Sequence, residues 1–345
     1  MMMYHQKSPA TTFASDNYSG VHPAIMQALN DANVGHVPAY GYDEYTDRLQ
    51  AVIRKHFGEK AHALPVFNGT GANVVGLQAI NLRWGAVICT ESAHIHQDES
   101  TAPQVIGGLK LLAVPTKDGK LTPELIKTQI YNIGSEHRAQ PSLVYISQTT
   151  ECGTCYTIEE IAAICEVAHA HNMKVFVDGA RLSNAAAHLN ATFKEMIFDT
   201  GVDMVSFGGT KNGMMMGECL ITFDAKLAQS LRYLRKVGLQ TASKMRFISA
   251  QFIALFENEL YLHNAKQAND MATLLTKELK NLGIEPIYQV QSNGVFVKLP
   301  QRAMVNARQK YAFYDWDNKG MARLMCSFDT TVDDVMGLIE IIKNS

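Results

Sequence analysis

The feature that most constrains this chain is a regular alternation between short apolar runs, rich in β-branched or aromatic residues, and stretches with helical periodicity. The runs are Ala63 to Phe67, Ala86 to Cys89, Lys110 to Val114, Leu143 to Ser147, Lys174 to Val177, Met204 to Phe207 and Cys219 to Phe223. Each is predicted to be a buried strand. Between them lie helical patterns such as Thr157 to His171, where Ile158, Ile161, Ile164, Cys165 and Ala168 fall on one face. Thr157 and Glu160 are spaced to form a capping box at its start. Strands separated by helices build βαβ units, so the chain is predicted to be an α/β protein with a mostly parallel sheet sandwiched by helices. Ligands of such sheets bind beyond the carboxyl ends of the strands, which is where the chemistry is expected.

The rhythm changes after Ala225, where Leu227, Leu231 and Leu234, then Ile248, Phe252, Leu255, Leu262 and Leu274, continue as helix through to Leu279. Two further strands are expected at Gly294 to Leu299 and Arg323 to Ser327, with a closing amphipathic helix from Thr331 to Lys343. A chain of 345 residues holds about two domains. The expected division is a large α/β domain over residues 1–250 and a smaller α+β domain over 251–345 that packs over the mouth of the first.

Composition removes several function classes. Lys and Arg number 31 against 33 Asp and Glu, a net charge of -2, which lacks the basic surplus that nucleic-acid binding requires. The apolar share of 47% and charged share of 19% suit a soluble globular protein. Met1 to Ser8 carries no signal-like apolar core, and no apolar run reaches the roughly 18 residues that span a bilayer. The expectation is a cytoplasmic protein with no membrane partner. Cysteines 89, 152, 155, 165, 219 and 326 are too sparse for a disulfide scaffold. Cys152-Gly-Thr-Cys155 has no second pair to complete a zinc site, so no metal is expected.

Three strand ends carry unusual residues. Val66-Phe-Asn-Gly-Thr-Gly-Ala-Asn73 is a strand, two glycines and a helix start, a place where backbone N–H groups and the helix dipole favour a phosphate, or else only a tight turn. A dinucleotide fingerprint fails, because Val74 stands where the third glycine belongs. Val175-Phe-Val-Asp178-Gly-Ala-Arg181 ends in an acid that needs a partner: Arg181 in a structural salt bridge, or a protonated heterocycle with Arg181 left to fork a substrate carboxylate. Val205-Ser-Phe-Gly-Gly-Thr-Lys211-Asn-Gly213 sets one lysine among small residues, as a surface group or as an amine that exchanges between carbonyl partners. Phosphate loop, acid and lysine in this order point to a pyridoxal phosphate enzyme.

The chain resembles the threonine aldolase family of fold-type-I pyridoxal phosphate enzymes, in particular its low-specificity L-threonine and phenylserine aldolase branch. Phe13-Ala-Ser-Asp-Asn17, Tyr40-Gly-Tyr-Asp-Glu44, Asn68-Gly-Thr-Gly-Ala-Asn73, Ser92-Ala-His-Ile95, Val177-Asp-Gly-Ala-Arg181, Ser206-Phe-Gly-Gly-Thr-Lys-Asn-Gly213 and Ser243-Lys-Met-Arg-Phe247 carry the likeness, nearly end to end. It implies that Lys211 carries the cofactor, Asp178 pairs with its ring nitrogen, Gly69, Thr70 and Gly71 cradle its phosphate, and His94 stacks on its ring. Ser15, Arg181 and Arg323 are then expected to hold the amino-acid carboxylate. Tyr40 and Arg246 resemble residues that reach the cofactor of a neighbouring subunit, which implies a homodimer at minimum and often a homotetramer.

The resemblance implies retro-aldol cleavage of L-threonine or L-allo-threonine to glycine and acetaldehyde. Other branches place a histidine where Glu151 aligns here, which leaves Glu151, His94, a water and His96 as candidates for the base. Phenylserine cleavage, β-elimination, transamination and racemisation share the lysine and the acid and differ in the bond aligned. A nicotinamide-dependent oxidoreductase and a catalytically silent binding protein are the competing readings from other classes.

Overall fold

The computed structural model describes residues 11–317 and 319–345, so the Met1 to Ser8 segment lies outside the described residues. Its main sheet has seven strands: β1 (His62–Val66), β2 (Gly85–Thr90), β3 (Lys110–Val114), β4 (Gln140–Ser147), β5 (Lys174–Gly179), β6 (Met204–Gly208) and β7 (Glu218–Thr222). They lie in the order β1-β7-β6-β5-β4-β2-β3. All neighbours from β6 to β3 run parallel, and β7 is antiparallel to both β6 and β1. The expected mostly parallel sheet is present, each strand within a few residues of its predicted bounds.

Alternation along the strands explains why both faces are covered. Val144, Ile146, Val175, Val177, Val205, Phe207 and Ile221 enter one apolar core, while Leu143, Tyr145, Phe176, Met204 and Leu220, one residue out of step, enter another. The second face packs on the helix Gly69–Ile80, whose Ala72, Val75 and Leu77 belong to the same core. The approach is so close that a Cβ on Gly76 would lie 2.5 Å from a ring carbon of Phe176. Thr157 and Glu160 form the predicted capping box on the helix Ile158–Ala170.

The predicted run of helix after Ala225 divides into Ala225–Val237, Arg246–Phe256 and Leu260–Asn281. A smaller antiparallel sheet follows, made of β8 (Gly294–Lys298), β9 (Tyr314–Asp315) and β10 (Met321–Met325) in the order β8-β10-β9. The strand expected at Arg323 to Ser327 therefore begins two residues earlier, which sets Arg323 mid-strand between Phe296 and Tyr314. A separate apolar core joins this sheet to Met271, Leu275 and Leu279 of the long helix and to Val335, Leu338 and Ile342 of the closing helix Val332–Lys343. Phe13, from the start of the chain, is fully buried in that same core.

Candidate active site

Strand register gathers the chemistry at one edge of the main sheet. Asp178 at the end of β5 sits beside Ser147 of β4 and Ser206 of β6, while Glu218 opens β7 opposite Gly208 and Val66. Asp178 shares the face of Phe176, the side covered by the helix Gly69–Ile80, and this parity is what allows Asn73 of that helix to reach it. Asp178 Oδ2 accepts from Asn73 Nδ2 at 2.8 Å and from the Tyr145 hydroxyl at 2.6 Å, and Oδ1 accepts the Ala180 backbone N–H at 3.0 Å. Burial raises its carboxyl, but the His94 charge, these two side-chain hydrogen bonds and Lys211 outweigh it and hold Asp178 below the ordinary carboxylate value.

Lys211 stands in a short 3-10 turn, Thr210–Asn212, directly after β6. Asn212 donates to the Tyr261 carbonyl at 2.9 Å, and Asn264 returns a bond of 2.9 Å to the Asn212 carbonyl, so the long helix pins the lysine turn. Gly213 closes the turn with φ +98°, a conformation suited to glycine. Burial, then the Arg181 charge, lowers the Lys211 amine against the opposing pull of Asp16, Asp178 and Glu218. Burial pushes the neighbouring Glu218 up to about 8.

The glycine loop is the first turn of the helix Gly69–Ile80, with Asn68 as its cap accepting the Gly71 N–H at 2.8 Å. A Cβ on Gly71 would lie 2.2 Å from Gln240, whose Oε1 accepts the Phe67 N–H at 3.0 Å. Gly69 opens onto a cavity shared with His94, Glu151, Asp178, Arg181 and Lys211. Gly69 of the expected phosphate loop, the acid and the lysine thus line a single cavity, while Thr70 and Gly71 are not among its lining residues. That donor set fits the implied group: a helix N-terminus for a phosphate, a buried anionic acid for a ring N–H and an amine for a carbonyl carbon.

A wider cleft of about 690 Å³ adjoins it through His94, Thr149, Glu151, Arg181 and Lys211. Ser15 and Arg323 line this cleft, so all three residues expected to hold a carboxylate face it. The structural salt bridge considered between Arg181 and Asp178 does not form. Arg181 instead gives Nε and Nη2 to Asp16, at 2.7 and 2.9 Å, from the residue preceding the helix Leu182–Leu189. Arg323 donates to the Ala14 carbonyl at 3.1 Å and lies over the rings of Tyr314 and Trp316.

His94 donates its backbone N–H to Glu151 Oε1 at 2.9 Å, and Ser147 donates to the same oxygen at 2.6 Å. Burial raises the Glu151 carboxyl. His96 is not among the residues lining either cavity. Tyr40 and Arg246 also lie outside both: Tyr40 is exposed, beneath Lys236, and Arg246 donates to the Val34 carbonyl at 3.1 Å. Cys152 and Cys155 are unpaired buried thiols, and no cluster of metal-binding side chains occurs among the described residues.

Sequence reasoning missed Asp16, Glu99, Tyr145, Gln240 and Asn293 as members of this site. Asp16 is buried and also accepts from Asn293 at 3.0 Å, and Glu99 is buried beneath His94 and Asn73.

The profile of the Beta-eliminating lyase family matches residues 12–302. A low specificity L-threonine aldolase from a Pseudomonas species is 40% identical over 321 residues, covering 92% of this chain and 93% of its own length. This chain belongs to the threonine aldolase family. Another low specificity L-threonine aldolase, from Pseudomonas aeruginosa, is 38% identical over 96% of both chains. A threonine aldolase structure from Leishmania major, 29% identical, superimposes with a TM-score of 0.91 over 96% of this chain and 98% of its own. As a threonine aldolase family member the chain is an enzyme of the lyase class, and the fold matches throughout.

Proposed function

We propose that this enzyme uses pyridoxal 5'-phosphate to cleave L-threonine and L-allo-threonine to glycine and acetaldehyde. The observation that carries the reading is one cavity lined by Lys211, Asp178 and the N-terminus of the helix Gly69–Ile80, opening into a cleft with two arginines. When bound, the cofactor supplies a carbonyl carbon for the substrate amine and a conjugated ring that accepts the electron pair of the broken bond. Lys211 would hold it covalently, Gly69, Thr70 and Gly71 its phosphate, Asp178 its ring nitrogen and His94 its ring face.

Asp178, kept anionic by its three donors, holds a proton on that nitrogen. Arg181 and Arg323, with Ser15, clamp the amino-acid carboxylate and thereby orient the Cα–Cβ bond. We assign the base to His94, because Glu151 Oε1 is occupied by Ser147 and the His94 backbone, whereas imidazole suits proton transfer near neutrality. Tyr40 and Arg246, outside the two cavities of their own chain's candidate site, would complete a neighbour's site in a homodimer or homotetramer. Six unpaired cysteines favour a cytoplasmic location.

Acetaldehyde release from L-threonine and L-allo-threonine by the cofactor-saturated protein tests the reaction. Release from either is the expected result, and none from both, in a visibly yellow protein, overturns the reading. Phenylserine is the second reading, favoured by the Phe296, Tyr314 and Trp316 rings lining the wide cleft, and benzaldehyde release tests it.

A further inference from the structure

Glu99 has a side chain with no solvent exposure, and among the described residues no lysine or arginine pairs with it. Its Oε2 has no hydrogen-bond partner among the described residues. Its Oε1 is shared: Asn73 Nδ2 lies at 2.7 Å and His94 Nδ1 at 2.8 Å. The same Asn73 nitrogen reaches Asp178, so both amide hydrogens are committed and Glu99 Oε1 is fixed in place. A carboxylate oxygen accepts and cannot donate, so the proton of the short contact belongs to His94 Nδ1. The other ring nitrogen, Nε2, has no protein partner among the described residues, and His94 lines both cavities.

A bare buried carboxylate oxygen such as Glu99 Oε2 is costly. What offsets that cost is the acceptor that Oε1 supplies to His94 and Asn73. Were the anchor to donate instead, Nδ1 would have to accept, the ring proton would move to Nε2, and the lone pair facing the cleft would be lost. We propose that Glu99 is a positioning residue for the aldol cleavage, holding His94 in the tautomer and orientation that turn the Nε2 lone pair toward the substrate's β-hydroxyl. This rests on the reading of His94 as the base.

In the step it serves, the β-hydroxyl O–H bond breaks and its proton goes to His94 Nε2. The freed electron pair forms the aldehyde C=O as the Cα–Cβ bond breaks, and that bond's pair leaves toward Cα, whose later protonation gives glycine. His94 becomes a cation against the Glu99 anion, a charge-assisted pair formed as the barrier is crossed. The charged groups facing His94 are Glu99, Asp178 and Lys211, with Glu151 on its backbone. Burial lowers the imidazole, but the Glu99 hydrogen bond and the Asp178 charge outweigh burial and Lys211, for a net upward shift.

The test compares wild type, Glu99→Met, Glu99→Asp, His94→Asn and the Glu99→Met/His94→Asn double variant as holoenzymes; methionine keeps the length of the side chain and removes its oxygen acceptors, whereas a glutamine carbonyl would still accept from Asn73 and His94. Imidazole ¹⁵N NMR without substrate reads the tautomer, with the His94 signal identified by its loss in His94→Asn. Expected are an Nδ1–H tautomer in wild type and Glu99→Asp, and a shift toward Nε2–H in Glu99→Met. The kcat of Glu99→Met should fall about a hundredfold with KM little changed, the low end of what general acid–base catalysis contributes. Its acid limb should move to lower pH, because the anion favouring the charged ring is gone, and in the His94→Asn background Glu99→Met should add no further loss. An unchanged tautomer in Glu99→Met, or a kcat loss that persists without His94, would overturn the proposal. A holoenzyme inactive on all β-hydroxy amino acids would sink the proposed reaction instead, while the NMR comparison still decides the tautomer.

Discussion

Replacing Asp16 with alanine tests how the substrate clamp is held. Asp16 is 1% exposed and accepts from Arg181 at 2.7 and 2.9 Å, from Asn293 at 3.0 Å and from Ser15 at 3.5 Å. Removing one partner of a buried pair costs about 3–5 kcal/mol, chiefly because the other charge is left bare. Arg181 lines a cavity that admits water, so the lower end, about 3 kcal/mol, is expected. Burial raises the Asp16 carboxyl, but the Arg181 charge and hydrogen bonds outweigh it, and the group titrates below its ordinary 3.8. Its stabilisation is therefore complete above the ordinary carboxylate range and lost as pH falls through the depressed folded value. Urea unfolding of wild type and Asp16→Ala, at fixed protein concentration and saturating cofactor, should differ by that amount at pH 7 and converge at low pH. Adding Arg181→Leu should recover part of the loss, since no bare charge remains. A difference below about 1 kcal/mol at pH 7, or no convergence in acid, would refute the argument.

Lys211→Ala should leave no cofactor attached after borohydride reduction, and retention of reduced cofactor on the variant would refute the Schiff-base role. Gly71→Ala drives a Cβ to 2.2 Å from Gln240 and breaks its bond to the Phe67 N–H. The lost hydrogen bond, about 1 kcal/mol, is offset by removing a helical glycine, so stability should change little while cofactor is lost faster on dialysis. Undiminished retention would count against the phosphate cradle. Arg323→Ala should raise KM for the amino acid far more than it lowers kcat, and unaltered KM would remove Arg323 from the clamp.

The sheet was readable because its strands bury both faces, so that Leu143 to Ile146 or Lys174 to Val177 stand out as short apolar runs. Asp178 and Lys211 were readable for the converse reason, as polar breaks at the ends of such runs. The helices Pro23–Ala32 and Glu44–Phe57 were passed over, although Leu49, Ile53 and Phe57 recur at four-residue spacing, because the surrounding residues are mostly polar. β9 has two residues, too few for any periodicity. Glu99 and Asp16 were illegible as site residues because their meaning lies in distant partners: Asp16 meets Arg181 165 positions away, and Asn73 links Glu99 to Asp178. The alternative of an Arg181 bond to Asp178 fails on this point, since nearness in sequence suggests the wrong acid.

The start of the chain is threaded through its end. The Phe13 N–H bonds the Ala312 carbonyl at 2.9 Å, and the Phe13 carbonyl accepts from the Met325 N–H at 2.8 Å, three residues before Asp16 seizes Arg181. During synthesis on the ribosome, residues 62–222 can close their sheet while the tail is still being made, but Phe13 has no seat until Met325 has emerged. The half-built enzyme would thus have its lysine, its acid and its helix N-terminus long before its carboxylate clamp, and selectivity would be the last property the nascent chain acquires.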